Sequence, residues 1–170
     1  MQAHIELVED TLARLQDVSV AAPSLWVTEI DGTTRGWAST YDIPLHVQPG
    51  GDLGEKMDGV LRSLLVDADQ ACLVGTDCPD IDLAYVDAAF AALTESDLVI
   101  GPAEDGGYGL IGLREPAANL FSGVDWGSAN VLRQTLERAA DSGLRTSLQQ
   151  TIWDVDTPAD WQRYRKLKIS

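Results

Sequence analysis

Basic residues are scarce in this sequence: 12 Lys and Arg stand against 27 Asp and Glu, a formal net charge of −15. A surface that acidic repels phosphate backbones, which excludes DNA and RNA polymers as partners. A small phosphorylated substrate stays open, provided a divalent cation sits between carboxylates and phosphates. Cysteine is scarce too. Cys72 and Cys78 form no C-x-x-C pair, and His4 and His46 are the only histidines, so no zinc set can be assembled and no oxidising compartment is implied. No basic patch followed by an apolar core opens the chain, and no apolar run approaches membrane-spanning length, so the cytoplasm is the expected location and no membrane partner is expected. G-x-x-x-x-G-K-[ST] and G-x-S-x-G are both missing, which removes P-loop and hydrolase-elbow chemistry. Gly107-x-Gly109-x-x-Gly112 spells a dinucleotide fingerprint, but it lies within a strand pattern instead of between a strand and a helix.

What is present is an ordinary globular composition, 45% hydrophobic over 170 residues, enough for one domain spanning residues 1–170. Ile5, Leu7, Val8, Leu12 and Leu15 recur at helical spacing. Strands are expected at 25–30 and 45–47, then a helix at about 54–66 with Met57, Val60, Leu61, Leu64 and Leu65 on one face. The run at 71–75 is almost wholly apolar, as in a strand covered on both faces. Asp82 can cap a helix over 83–93. Two more buried strands follow at 97–101 and 108–113, then a helix at 128–140 and a strand at 144–148. Thr157 and Pro158 open the last helix as cap and first residue. This alternation predicts an α/β three-layer α/β/α sandwich, mostly parallel, with one strand reversed at the β-β step.

In such sheets ligands bind beyond the carboxyl ends of the strands. Gly75-Thr76-Asp77-Cys78-Pro79-Asp80 directly follows the run at 71–74. There Asp77 either meets a hard cation or, with Asp80, caps the next helix. Glu104-Asp105-Gly106-Gly107 joins two strands. It reads as a tight solvated turn or as two carboxylates beside glycines that let the backbone approach a hydroxyl-rich ligand. Asp154 and Asp156 precede the last helix and are not needed to cap it, and a fold-back beside Asp77 would let two carboxylates share Mg²⁺ or Mn²⁺. Gln48-Pro49-Gly50-Gly51-Asp52-Leu53-Gly54 opens a helix, either as a flexible turn or as a set of N–H groups facing an anion.

These motifs, with Phe121, Trp126 and Asp154-Val155-Asp156-Thr157-Pro158-x-Asp160, occur in an order that resembles the bacterial glycosyltransferases of arsenosugar biosynthesis. That family sits in the nucleotide-diphospho-sugar transferase superfamily of GT-A-like fold, and the resemblance covers nearly the whole chain. It implies a nucleotide-diphosphate-sugar donor, a small-molecule acceptor and a Mg²⁺ or Mn²⁺ cofactor. By motif, Asp77 and Asp156 match metal-binding positions, and Gln48 stands where related nucleotidyltransferases read the base. Glu104 and Asp105 are expected near the sugar or acceptor as catalytic residues. Gly51, Gly54, Thr76, Gly106 and Gly107 lie in the loops expected to hold the donor. Family members also start with a central strand and a basic phosphate-binding loop; this sequence begins inside the following helix, so the resemblance implies an N-terminally truncated domain. The strand at 25–30 is then expected to pair directly with 71–75, unless a homo-oligomer partner fills the gap. Two rivals remain beside glycosyl transfer: a guanylyltransferase-like nucleotidyltransferase, and a non-catalytic binding or assembly module of the same fold.

Overall fold

The computed structural model describes residues 2–168. Among the described residues, six helices and six strands run in the order α1 (Gln2–Leu15), β1 (Leu25–Val27), α2 (Gly32–Tyr41), β2 (Leu45–Val47), α3 (Leu53–Leu64), β3 (Ala71–Val74), α4 (Leu83–Ala92), β4 (Leu98–Pro102), β5 (Tyr108–Leu113), α5 (Val131–Asp141), β6 (Thr146–Leu148) and α6 (Pro158–Leu167). Side chains alternate across the central strands and feed two cores. Leu98, Ile100, Ile111 and Leu113 face Leu61 of α3 and Ala139 of α5. Val99 and Leu110 face Val86 and Ala89 of α4 and Leu93 just after it, with Leu15 of α1 packed alongside. Helices therefore cover both faces of the sheet, which is the three-layer α/β/α arrangement expected.

The reversed strand is β5. It lies antiparallel between β3 and β4, while β4 and β6 are parallel. Capping follows the sequence signals: Asp82 accepts from the Tyr85 N–H, and Thr157 and Asp160 form a reciprocal box at α6.

Several boundaries differ from expectation by one to three residues. The strand at 25–30 stops at Val27, the helix expected from 128 begins at Val131, and the strand expected from 144 begins at Thr146. One helix was not foreseen at all. The sequence of α2, GTTRGWASTY, is rich in poor helix formers. It folds because Asp31 and Thr34 make a full capping box, and because Trp37 and Tyr41 hydrogen-bond to Glu9 of α1.

The pairing of β1 needs a larger correction. Among the described residues β1 pairs only with β2, in parallel, and β3 pairs only with β5; the expected direct pairing of β1 with β3 does not occur. Because the Gly75 N–H donates to Gly109 across the β3–β5 ladder, alternation turns the N–H groups of Cys72 and Val74 the other way. Trp26 is likewise turned away from β2, and its carbonyl accepts from the Gln48 side-chain amide at 3.3 Å. Both edges line one cavity of about 1390 Å³, walled also by Leu12 and Leu15 of α1 and Met57 and Val60 of α3. A dry slot between the two edges would leave their N–H and C=O groups unpaired. Cys72, Leu73 and Val74 are instead only half-buried, and a cavity this wide lets water meet the edge groups.

Candidate functional site: an acidic trio at the cavity

The cavity reaches the carboxyl end of β3 and takes in Asp77, Asp105 and Asp154. Two segments far apart in sequence meet there through main-chain bonds. Ala103 bridges to Ile152 in parallel, the Ile152 N–H donates to Pro102 at 2.8 Å, and the Glu104 N–H donates to Ile152 at 2.9 Å. Beyond this short ladder the chain runs outside any helix or strand until α6, and Asp154 and Asp156 both reach Asp105. One carboxylate oxygen from each of Asp105, Asp154 and Asp156 lies within 4.8 Å of the other two.

Burial and neighbouring charge perturb two of the three. Burial, reinforced by Asp105, Asp156 and Asp77, raises the Asp154 carboxyl from 3.8 to about 6. Burial together with Asp77 and Asp105 also pushes Asp156 up. The donor set is hard oxygen throughout, which suits Mg²⁺ or Mn²⁺ and leaves further positions to water or phosphate oxygens. Such a cation would offset both the burial and the like-charge crowding behind these shifts.

The sequence-derived candidates divide by position. Asp105 and Asp156 belong to the trio, with Asp105 Oδ1 also accepting the Gly107 N–H at 2.8 Å. Asp77 stands beside the trio and acts on both Asp154 and Asp156 electrostatically, but it is not one of the three clustered carboxylates. Its Oδ1 accepts from the Cys78 thiol, and its carbonyl accepts the Val155 N–H. Glu104 turns outward into a two-pronged pair with Arg163, at 2.9 and 3.2 Å. Asp80 accepts from the Trp153 indole at 3.0 Å and so neither caps α4 nor joins the trio.

Among the donor-loop candidates, Gln48 holds the Trp26 carbonyl at the slot edge, and Thr76 offers its carbonyl to Thr11. Gly51 precedes the Asp52–Glu55 capping box of α3. At Gly54 the Trp126 ring packs so close that a Cβ would sit 2.7 Å from it. Gly106 has φ +93°, and a Cβ there would come within 2.4 Å of the Ala129 carbonyl oxygen; only glycine fits that turn without strain. Gly107 follows directly and donates its N–H to Asp105.

Two residues of the site carried too little weight in the sequence. Asp154 had a usable signal, since Asp-x-Asp in extended chain presents both carboxylates on one side. Arg163 had none: it lies on a helix 59 positions from Glu104.

The three-layer α/β domain matches the fold of nucleotide-diphospho-sugar transferase-like proteins. A crystal structure from Desulfovibrio desulfuricans G20, of a protein provisionally named a nucleotide-diphospho-sugar transferase, superposes with a TM-score of 0.86 and 31% identity, covering 99% of this chain and 76% of that one. The chain belongs to the bacterial family described as an uncharacterized protein conserved in bacteria (DUF2064), matched over residues 11–128. More distant structures share the fold. A CMP:2-keto-3-deoxy-manno-octonic acid synthetase complexed with CTP gives a TM-score of 0.65 at 14% identity, covering 96% of this chain and 87% of that one. A Mycobacterium sp. strain JC1 homologue of a Mycobacterium tuberculosis protein gives 0.56 at 18% identity, covering 96% and 84%. No curated protein matches the sequence. No helix among the described residues is long and apolar enough to cross a membrane.

Proposed function

We propose that this protein is a divalent-cation-dependent transferase acting on a nucleotide-diphosphate sugar, with glycosyl transfer to a small acceptor as its reaction. The observation that carries this reading is the convergence of Asp105, Asp154 and Asp156 from two distant segments beside a cavity of about 1390 Å³. Asp77 adds a fourth negative charge next to them. Four carboxylates with no cation among them repel a diphosphate; with Mg²⁺ or Mn²⁺ between, the same groups orient it. When bound, the cation would supply electrostatic stabilisation of a departing nucleoside diphosphate.

The protein's own groups set the geometry. The Gly106 turn presents Asp105, with one of its oxygens fixed by the Gly107 N–H. The segment at 154–156 presents the other two carboxylates, anchored to the end of β3 through Val155 and Asp77. Trp126, packed against Gly54 and edge-on to Tyr108, forms an aromatic wall of the cavity. Such a surface suits the apolar face of a sugar or a base. The order of motifs along the chain supports the arsenosugar-type glycosyltransferases as the finer assignment.

The experiment is a substrate panel with Mn²⁺ present. UDP- and GDP-sugars, with water or added small alcohols as acceptors, are expected to release nucleoside diphosphate. Release of pyrophosphate from a nucleoside triphosphate would move the reaction to nucleotidyl transfer. Binding without turnover of either class would make the domain a non-catalytic nucleotide-sugar binder.

A further inference from the structure

Arg163 touches none of the three clustered carboxylates, yet it joins the two segments that carry them. Its guanidinium grips Glu104, the residue before Asp105, through two hydrogen bonds of 2.9 and 3.2 Å. The same group lies 4.0 Å over the ring of Trp153, the residue before Asp154. Trp153 is 2% exposed and is itself fixed by its indole bond to Asp80. One planar cation on α6 thus spans both arms of the site, with a two-pronged bond on one side and a stacked ring on the other.

The arms need such a brace. Asp105, Asp154 and Asp156 bring carboxylate oxygens within 4.8 Å of one another, and like charges that close repel and act to spread the arms apart. The main-chain bonds between them end at Glu104 and Ile152, just short of the carboxylates. Arg163 closes the assembly at Glu104 itself and at Trp153, one residue beyond Ile152.

We propose that Arg163 is a positioning residue that holds the Asp105 turn against the Asp154–Asp156 segment and so sets the affinity of the site for a divalent cation. This inference rests on the cation-dependent reading above. Two effects of removing Arg163 have opposite signs. Loss of a positive charge close to the site, taken as electrostatics alone, tightens cation binding. Loss of the brace loosens it, in the way that outer-shell partners of metal ligands cost about 10- to 100-fold when removed.

The test is titration of the intact chain with Mn²⁺ followed by electron paramagnetic resonance of the free ion, with thermal unfolding in parallel. Arg163→Ala is expected to weaken Mn²⁺ binding by about tenfold. It should lower the melting temperature only slightly, because the Arg163–Glu104 pair is solvent-exposed. Arg163→Lys keeps the charge but loses the fork and the flat stacking surface, so its affinity should fall between the two. Arg133→Ala, which removes an equal charge from the pair with Glu137 on α5, should leave Mn²⁺ binding as it is. Unchanged or tighter binding in Arg163→Ala would overturn the positioning role while leaving the cation site standing. Absence of Mn²⁺ binding in the wild-type chain would overturn both. Should Arg163→Ala fail to unfold cooperatively, Arg163→Lys carries the same comparison.

Discussion

The backbone N–H of Val155 donates to the carbonyl of Asp77 at 3.0 Å, across 78 positions of sequence. Through this bond the segment before α6 lies against the end of β3, with Asp154 and Asp156 on either side of the donor. The charge that Asp77 imposes on both of them follows from that contact.

Asp154 is held in a site that disfavours its charge. A folded-state value of about 6 against an ordinary 3.8 means that folding favours the protonated form. The stabilisation this brings is complete below about pH 4 and is lost as pH rises through about 6. Asp154→Asn should therefore melt above the wild type at pH 7.5 without metal, with the gap narrowing below about pH 4. The same variant should bind Mn²⁺ at least about tenfold more weakly. A lower melting temperature than wild type at pH 7.5 without metal would contradict the assignment.

Gly106 is the position where the turn tolerates no side chain. With φ +93° and the Ala129 carbonyl in the path of a Cβ, Gly106→Ala should cost about 1–3 kcal/mol in urea unfolding. It should also displace Asp105 and weaken Mn²⁺ binding. Gly127→Ala, also at positive φ but with open space around it, should lose less stability. Equal losses in the two variants would show that the contact with Ala129 contributes nothing.

The open edge of β3 makes a prediction for hydrogen exchange. The amides of Cys72 and Val74 point into the cavity, whereas those of Val99 and Ile111 lie in ladders with strands on both sides. Cys72 and Val74 should exchange faster than Leu73, whose N–H faces β5. Uniform protection along β3 would mean that its second edge is paired in solution.

Asp97 and Arg145 tie the start of β4 to the start of β6. The Arg145 guanidinium and backbone N–H donate to the Asp97 carboxylate and hold its carboxyl down at about 2. The stabilisation is present above the ordinary value of 3.8 and is lost as pH falls through about 2. Asp97→Asn should thus melt below the wild type near neutral pH, and the deficit should shrink between about pH 4 and about pH 2. A deficit of constant size across that range would assign the loss to shape instead of charge.

Much of the fold was legible because apolar runs, capping residues and the β-β step are local signals. The helices α3, α4 and α6 carry their own punctuation in Asp52, Asp82 and Thr157, and β4 and β5 are too apolar to lie anywhere but the core. What was not legible depended on distant contacts. Helix α2 is made by Glu9 of α1 as much as by its own residues. The exposed edges of β1 and β3 reflect a cavity whose width no local pattern encodes. At the site, carboxylates next to strand ends could be named from the sequence, but their grouping could not. The bonds joining residues 102–104 to 152, and Val155 to Asp77, decide that Asp105 and Asp154 meet, that Glu104 turns away to Arg163, and that Asp77 stands beside the trio.

The account stands most directly on whether the trio couples a cation to a nucleoside diphosphate. Calorimetric titration of the chain with UDP and with GDP, each with and without Mn²⁺, measures that coupling. At least one of the two is expected to bind about tenfold or more tightly with Mn²⁺, a gain that disappears in the Asp105→Asn, Asp156→Asn double variant. Affinity that ignores Mn²⁺, or a Mn²⁺ gain that survives the double substitution, would contradict it.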